Sequence, residues 1–334
     1  MQEEFDMPCL PSRRQMLATL AAAGAVLALP GAWAREGYPS RPVTVIVPYA
    51  PGGQGDVFAR LIANDLGQAL GQSVIVDNRP GATGALGARM VARAPADGLT
   101  LLLGQTGEIA INGVAMKDPG YDSLQDLRGV ALVGDSPLVL AVPAAAPWKS
   151  LDELLSAAKA GPGKVAYASS GTATPGHLAA AALAAAAKVQ MTHIPYKGAG
   201  QAITDLIGAQ VQFFMASTPS ILPHIQGGKL RALAVTGRER IAALPDVPAV
   251  AQRFPGFEFS LWGGFFAPAK TPAAVVQQLS RAINRIVQQP AFKARFEAEG
   301  TLVKNLAPQE VDAFVRKEVA KYRQLVQSTS EWVG

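Results

Sequence analysis

Apolar and polar positions divide the chain from Val43 onward into strand-like and helix-like segments. Val43–Pro48 is a short apolar, β-branched run that suits a buried strand. Tyr49–Gly55 is a loop carrying Pro51, Gly52, Gly53 and Gly55. Asp56 then opens an amphipathic helix whose Val57, Phe58, Leu61, Ile62, Leu66 and Leu70 share one face. Further on, Ser73–Val76 reads as a strand, and Gly84–Ala94 as a helix with Leu86, Met90 and Val91 on one side. Thr100–Leu103 reads as another buried strand. The apolar run Val130–Val142 is interrupted by Gly134, Asp135, Ser136 and Pro137, and a helix over Leu151–Ala160 ends in the breaker Gly161, Pro162, Gly163.

The opening pattern then recurs. Val165–Ala168 is a short strand, Ser169–Gly176 a loop of small and hydroxyl residues, and Leu178–Ala187 an Ala-rich helix. Met191–Ile194, Val211–Met215 and Leu230–Val235 read as strands, with a helix over Gln201–Ile207. Phe257–Ala267 is an aromatic extended run, and helices follow over Pro272–Gln288, Ala291–Glu299 and Pro308–Gln327. Two strand, loop and helix units predict an α/β fold of two similar Rossmann-like domains. Each offers a helix N-terminus at the carboxyl end of a strand, where open parallel sheets bind ligands. The unpaired first-turn amides and the positive end of the helix dipole suit an anion there. A tight β-to-α connection with Asp56 as N-cap is the alternative for the first loop.

Composition changes the picture mainly at the N-terminus. Arg13 and Arg14, the apolar run Ala18–Leu29 and the sequence Ala32, Trp33, Ala34 form an export signal over residues 1–34, of twin-arginine type, with ordinary secretion as the alternative. That apolar run is too short to span a membrane. The single cysteine, Cys9, lies within residues 1–34 and ahead of that run, so no disulfide is expected in the remainder. A net charge of +5 is spread over solvated helix faces without a basic, aromatic-interleaved run, which argues against nucleic acid. His177, His193 and His224 are the only histidines and lack metal-ligand spacing. Ser169 and Ser170 form no nucleophile elbow, and no catalytic residue is identified. Gly53, Gln54, Gly55 and Ala59, with Asp77 at the end of the next strand, approximate a dinucleotide fingerprint. An exported dinucleotide-dependent oxidoreductase is therefore the competing function, although the third glycine is absent.

The segments PSRPVTVIVPYAPGGQGD, VIVDNRPGATGALGA, DGLTLLLG, YASSG, HIPYKGAG, DLIGAQVQ, LPHIQGGKLRALAVTG, ALPDVPAV and FFAPAKTP span nearly the whole chain after residue 34. Together they resemble the Bug family (TctC-type), the extracytoplasmic solute receptors of tripartite tricarboxylate transporters. The resemblance implies a type II periplasmic-binding-protein-like fold, with two α/β domains joined by crossing strands. Domain I would comprise 35–138 and 264–334, and domain II 139–263, with the ligand in the cleft between them. It further implies a periplasmic, monomeric, non-enzymatic receptor without cofactor or metal, which binds a small organic acid and works with membrane subunits of the transporter. Carried onto this sequence, the ligand contacts would be Tyr49, Pro51, Gly52, Gly53, Gln54, Gly55, Asp56 and Thr106 from the first domain. From the second they would be Ser169, Ser170, Gly171, Thr172, Thr174, His177, Tyr196 and Ser217. Gln54 and Gly55 stand where the family more often has Gly and Thr, and Met215, Ala216 and Ser217 stand where many relatives place an Asp, which favours a plain carboxylate over an amino acid. His177 could donate to a ligand oxygen, and Lys197 could neutralise a carboxylate or be an exposed loop residue.

Overall fold

β1 (Val43–Val47) is buried except for Thr44, as its unbroken β-branched sequence requires of a strand covered on both faces. It lies parallel to β2 (Val74–Asn78) on one side and to β3 (Thr100–Gln105) on the other, joined through the helices Gln54–Leu70 and Ala85–Ala92. The computed structural model describes residues 37–328, so the export signal expected over 1–34 lies outside the described residues. Arg41–Gly334 forms one compact unit. In the preceding unit, described only from Gly37, the Tyr38–Pro39 peptide bond is cis.

The remaining strands are β4 (Leu127–Pro143), β5 (Ala166–Ser169), β6 (Thr192–Pro195), β7 (Phe213–Ser217), β8 (Leu230–Val235), β9 (Ser260–Pro268) and β10 (Leu302–Val303). The order is β2-β1-β3-β9-β4-β7-β5-β6, with β8 and β10 also pairing β4. β3 and β4 flank β9 antiparallel, and β4 pairs β9 from Leu127↔Pro268 to Pro137↔Ser260. Beyond Pro137, β4 pairs antiparallel with β7 and β8, while β5 lies parallel to β6 and β7. The fold is thus a mixed α/β sheet whose two halves share β4, and the chain returns to the first half through β9.

Two sequence expectations are corrected. The residues Gly134–Pro137 do not interrupt the strand: β4 runs through them over 17 residues. They mark a change of partner instead. Gly134 and Asp135 take β10 as a neighbour, and a Cβ at Gly134 would stand 2.6 Å from Thr301 Cγ2, so only glycine allows that approach. Pro137, which has no N–H to give a ladder, sits where pairing with β9 ends. Secondly, Ala85, Ala88 and Val91 are the buried face of helix Ala85–Ala92, whereas Leu86 and Met90 are each 46% exposed. Small residues face inward there because the helix packs close to its neighbours: a Cβ at Gly87 would stand 2.8 Å from Pro48 Cβ.

One core includes Trp262, Tyr322 and Phe266 under the helix Pro308–Ser328 and runs from β1 and β3 through β4 to the helices Leu151–Ala160 and Pro175–Ala187 and to Phe213 and Met215 of β7. A second, around Phe214, Ile221 and Val235, lies under the helices Ala199–Ile207 and Thr218–Gln226. No described helix is long and apolar enough to cross a membrane.

Candidate functional site

Four helices begin at one cavity. Gly53 and Gln54 start Gln54–Leu70, Thr174, Pro175 and Gly176 start Pro175–Ala187, Ala199 starts Ala199–Ile207, and Ser217 and Ser220 flank the start of Thr218–Gln226; all line its wall. None of the four N-cap residues (Gly53, Thr174, Gly198, Ser217) closes its helix with a side-chain hydrogen bond. By contrast Ser150, far from the cavity, caps its own helix by accepting from the Glu153 amide at 3.2 Å. The converging termini therefore present a positive electrostatic field. No residue lining this cavity carries a charged side chain. The cavity has a volume of only about 50 Å³, and Leu138, Phe214, Met215 and Leu261 give it an apolar floor.

Local sequence explains why these termini stay open. Gly53 is extended (φ −81°, ψ 169°), and a Cβ there would meet nothing closer than Ala50 O at 3.9 Å, so the glycine leaves room on the cavity side. Gly176 answers a different demand, since a Cβ would collide with the Met215 carbonyl of β7. The second loop turns through Gly171 and through Ala173, a non-glycine residue at φ 58°.

Several residues expected to touch ligand are also bonded within the protein. Gln54 Nε2 donates to Ser136 Oγ (2.7 Å) and to the Leu261 carbonyl (2.8 Å), while its Oε1 accepts from Gln105 Nε2 (3.3 Å). Its amide is on the cavity wall but is engaged with β4 and β9. Asp56 accepts from the Gly52 amide (3.1 Å) and from Arg60 Nε (2.9 Å). Burial pushes the Asp56 carboxyl up, but the bonds from Arg60 and Gly52 outweigh it and hold the group below its ordinary value. Thr106 Oγ1 accepts from the Trp262 amide (2.9 Å), and Gly55 is packed against Gln105. Pro51 and Gly52 are exposed and line neither cavity described here.

On the other side, Thr174 Oγ1 donates to the Gly171 carbonyl (2.8 Å), and Ser217 and Ser220 hydroxyls bond one another (2.8 Å). Ser169 is buried behind the loop, 2.7 Å from His193 Nε2. His177 is also behind it: Nδ1 accepts the Ala173 amide (3.0 Å), and the ring stacks on His193 with centroids 3.7 Å apart. Burial, together with the neighbouring His193, lowers His177 to about 3, and burial lowers His193 to about 4, so both rings are neutral at ordinary pH. His177 thus braces the loop and does not face the inner cavity.

Tyr49, Ala50 and Ser170 also line a wider outer chamber of about 580 Å³ with Thr83, Gly171, Thr172, Tyr196 and Lys197. Tyr196 donates to Asp205 Oδ2 (2.8 Å); burial, then Asp205, pushes its hydroxyl up to about 12. Lys197 is the one cation lining either space. Sequence reasoning missed Gln105, Leu138, Leu261, Ala199 and Ser220, which reach the wall from strands and helices far apart in the chain. Only the Gly-Ala pair opening the helix after Lys197 offered a local signal.

Four helix N-termini meeting at a cavity beside the shared strand of a mixed α/β sheet are an arrangement suited to a ligand-binding protein. Residues 58–330 match the tripartite tricarboxylate transporter family receptor, and the chain belongs to that family. It is 37% identical over 294 residues to Protein BugT of Bordetella pertussis, covering 87% of this chain and 90% of that protein. Two solved structures resemble it closely. Rpa4515 of R. palustris, with adipate, has a TM-score of 0.85 at 31% identity, covering 87% of this chain and 98% of that one. MatC (Rpa3494) of Rhodopseudomonas palustris, with bound malate, has a TM-score of 0.82 at 32% identity, covering 86% of this chain and 100% of that one. The chain is therefore a solute-binding receptor and not an oxidoreductase. Asp77, which the dinucleotide alternative needed for a ribose, pairs with Arg79 Nε at 2.9 Å.

Proposed function

We propose that this receptor captures a small carboxylate-bearing metabolite in the periplasm by closing two α/β lobes, 35–138 with 264–334 and 139–263, around it. Membrane subunits of a tripartite tricarboxylate-type transporter then take up the released solute, and the receptor works as a monomer delivered by the export signal of residues 1–34. The observation that carries this reading is the meeting of four uncapped helix N-termini at a cavity without a charged side chain. Carboxylates bound by Rpa4515 and MatC support it.

The contacts assigned to the ligand are the backbone of Gly53, Gln54, Ser170, Gly171, Thr172, Thr174 and Gly176, with Tyr49, Tyr196 and Ser217 beside them. Magnitudes decide how such a site works. A terminus contributes about 0.3–1 kcal/mol when exposed, so four supply only part of the roughly −8 kcal/mol of micromolar affinity. Direct hydrogen bonds and exclusion of water supply the remainder, and lobe closure delivers both.

A thermal-shift panel of mono-, di- and tricarboxylates, with neutral analogues and NAD as controls, tests the reading. An acid at 100 times its dissociation constant adds about 2.7 kcal/mol, which amounts to a rise of several degrees. Stabilisation by neutral amides as strong as by the parent acids would sink it.

A further inference from the structure

Glu108 lies in the turn that follows β3 and is completely buried, with no lysine, arginine or histidine bonded to its carboxyl. Both of its oxygens hold residues of the cavity wall. Oε1 accepts the Gln105 amide, and Oε2 lies 3.0 Å from the Tyr49 hydroxyl. Tyr49 Oη also lies 3.3 Å from the Thr83 carbonyl. The Thr83 carbonyl also accepts from Asn112 Nδ2 at 3.0 Å, so the Tyr49 hydroxyl is one of two donors it has. What decides the state of Glu108 is its setting: a carboxyl fully buried without a cationic partner is far cheaper as the neutral acid, and with its proton on Oε2 it donates to Tyr49, which donates to Thr83 beside Asn112. The space is built for this pair, because a Cβ at Gly107 would stand 2.7 Å, and one at Gly84 3.0 Å, from Tyr49 Oη.

We infer that Glu108 is a positioning residue held as the neutral acid, that its proton orders the Tyr49 side of the binding wall, and that carboxylate capture is coupled to keeping that proton. The coupling rests on the cavity being the ligand site; the protonation state does not. Electrostatics agree with the geometry. Burial pushes the Glu108 carboxyl up to about 8, against which the bonds from Gln105, its own backbone and Tyr49 act only in part. The titratable groups around it are accounted for. Tyr49 is raised well above its ordinary value by burial and by Glu108, and Tyr121, whose hydroxyl reaches the Glu108 carbonyl, is raised by burial and by Glu108. Helix Ala85–Ala92 brings Arg89, whose charge acts on Tyr121. Helix Pro308–Ser328 brings Tyr322, and Glu318, which is bonded to Trp262 Nε1 and paired with Lys321. An anion in the cavity favours the neutral acid further, since an ionised Glu108 would set a second negative charge behind the wall.

The experiment is a carbon-13 NMR titration of the wild-type protein labelled at glutamate side-chain carboxyls. One resonance should keep the chemical shift of a protonated acid at pH 7 and titrate near pH 8, and it should be missing from Glu108→Gln. Tyr49→Phe provides an independent assignment by shifting the same resonance. If every glutamate carboxyl finishes titrating below pH 6, the inference is wrong whatever the ligand. The coupling is read with malate and adipate as probes: affinity should fall by up to about tenfold per pH unit above the Glu108 titration, and the fall should vanish in Glu108→Gln. A probe that binds with the same pH dependence in both proteins refutes the coupling while leaving the receptor reading intact. Failure of every acid to bind tells against the receptor site instead, and the NMR result for Glu108 stands apart from it.

Discussion

Gly53 and Gln54 are adjacent, yet the surroundings of one were legible in the sequence and the partners of the other were not. A glycine between a strand and a helix announces a close approach of backbone to something. Here it borders the cavity with nothing within 3.9 Å of where its Cβ would stand. Its extended φ of −81° can be adopted by valine, so Gly53→Val should leave the melting temperature nearly unchanged while weakening acid binding by at least about tenfold. Calorimetry on the folded variant checks this, and unaltered affinity would remove the first loop from the site. Gln54 instead reads locally as an amide offered to the ligand. Its partners, Ser136 and Leu261, lie 82 and 207 residues away, and no local spacing announces them. Gln54→Ala should accordingly lower stability by about 1–3 kcal/mol, because it leaves the Leu261 carbonyl without that donor, while Ser136 keeps Thr301 Oγ1 at 2.7 Å. Urea unfolding measures that loss.

The second loop illustrates the same limit at the scale of an element. Its recurrence of strand, small residues and helix was readable, but its support by two stacked imidazoles was not, because His193 enters from the next strand. His177→Asn keeps an acceptor for the Ala173 amide and should bind acid nearly as the parent does, whereas His177→Phe fills the stack without that acceptor and should bind less tightly. Titration calorimetry distinguishes them. Acid provides a second test. Both histidines have folded values, about 3 and about 4, below the roughly 6.5 of an unfolded chain. The unfolded state therefore binds more protons between those limits. Their neutral stacking contributes fully above about pH 6.5 and is lost as pH falls toward 4. Urea midpoints of the parent should drop more steeply over that interval than those of His177→Asn. In β4, the four residues that look like a break are where the strand exchanges neighbours; glycine and proline signal an irregularity, but not which kind.

Across the whole unit, alternating patterns were enough to give an α/β fold with two similar halves. The antiparallel insertion of β9 between β3 and β4 was not contained in any local window, since it depends on pairings more than a hundred residues apart. Resemblance to the receptor family carried that part. If ligand draws the halves together, small-angle scattering should register a smaller radius of gyration with a stabilising acid, and Thr172→Trp, placed on the wall of the outer chamber, should oppose the change. Identical curves with and without a tight ligand would overturn closure while leaving the fold untouched.

β4 belongs to both halves along one uninterrupted run of 17 residues, hydrogen-bonded first to β9 and then to β7 and β8. A connection of that kind has no slack. On the closure mechanism proposed above, the halves cannot swing about a loose pin and must turn by winding or unwinding a strand already clamped along its edges, in the manner of a torsion bar. The resting angle is then fixed by sheet geometry, and intermediate angles resist displacement in both directions. A protease would find no exposed tether to sever along it, and a substitution at Gly134 or Pro137, neither of which lines the cavity, would retune how tightly solute is held by altering stiffness.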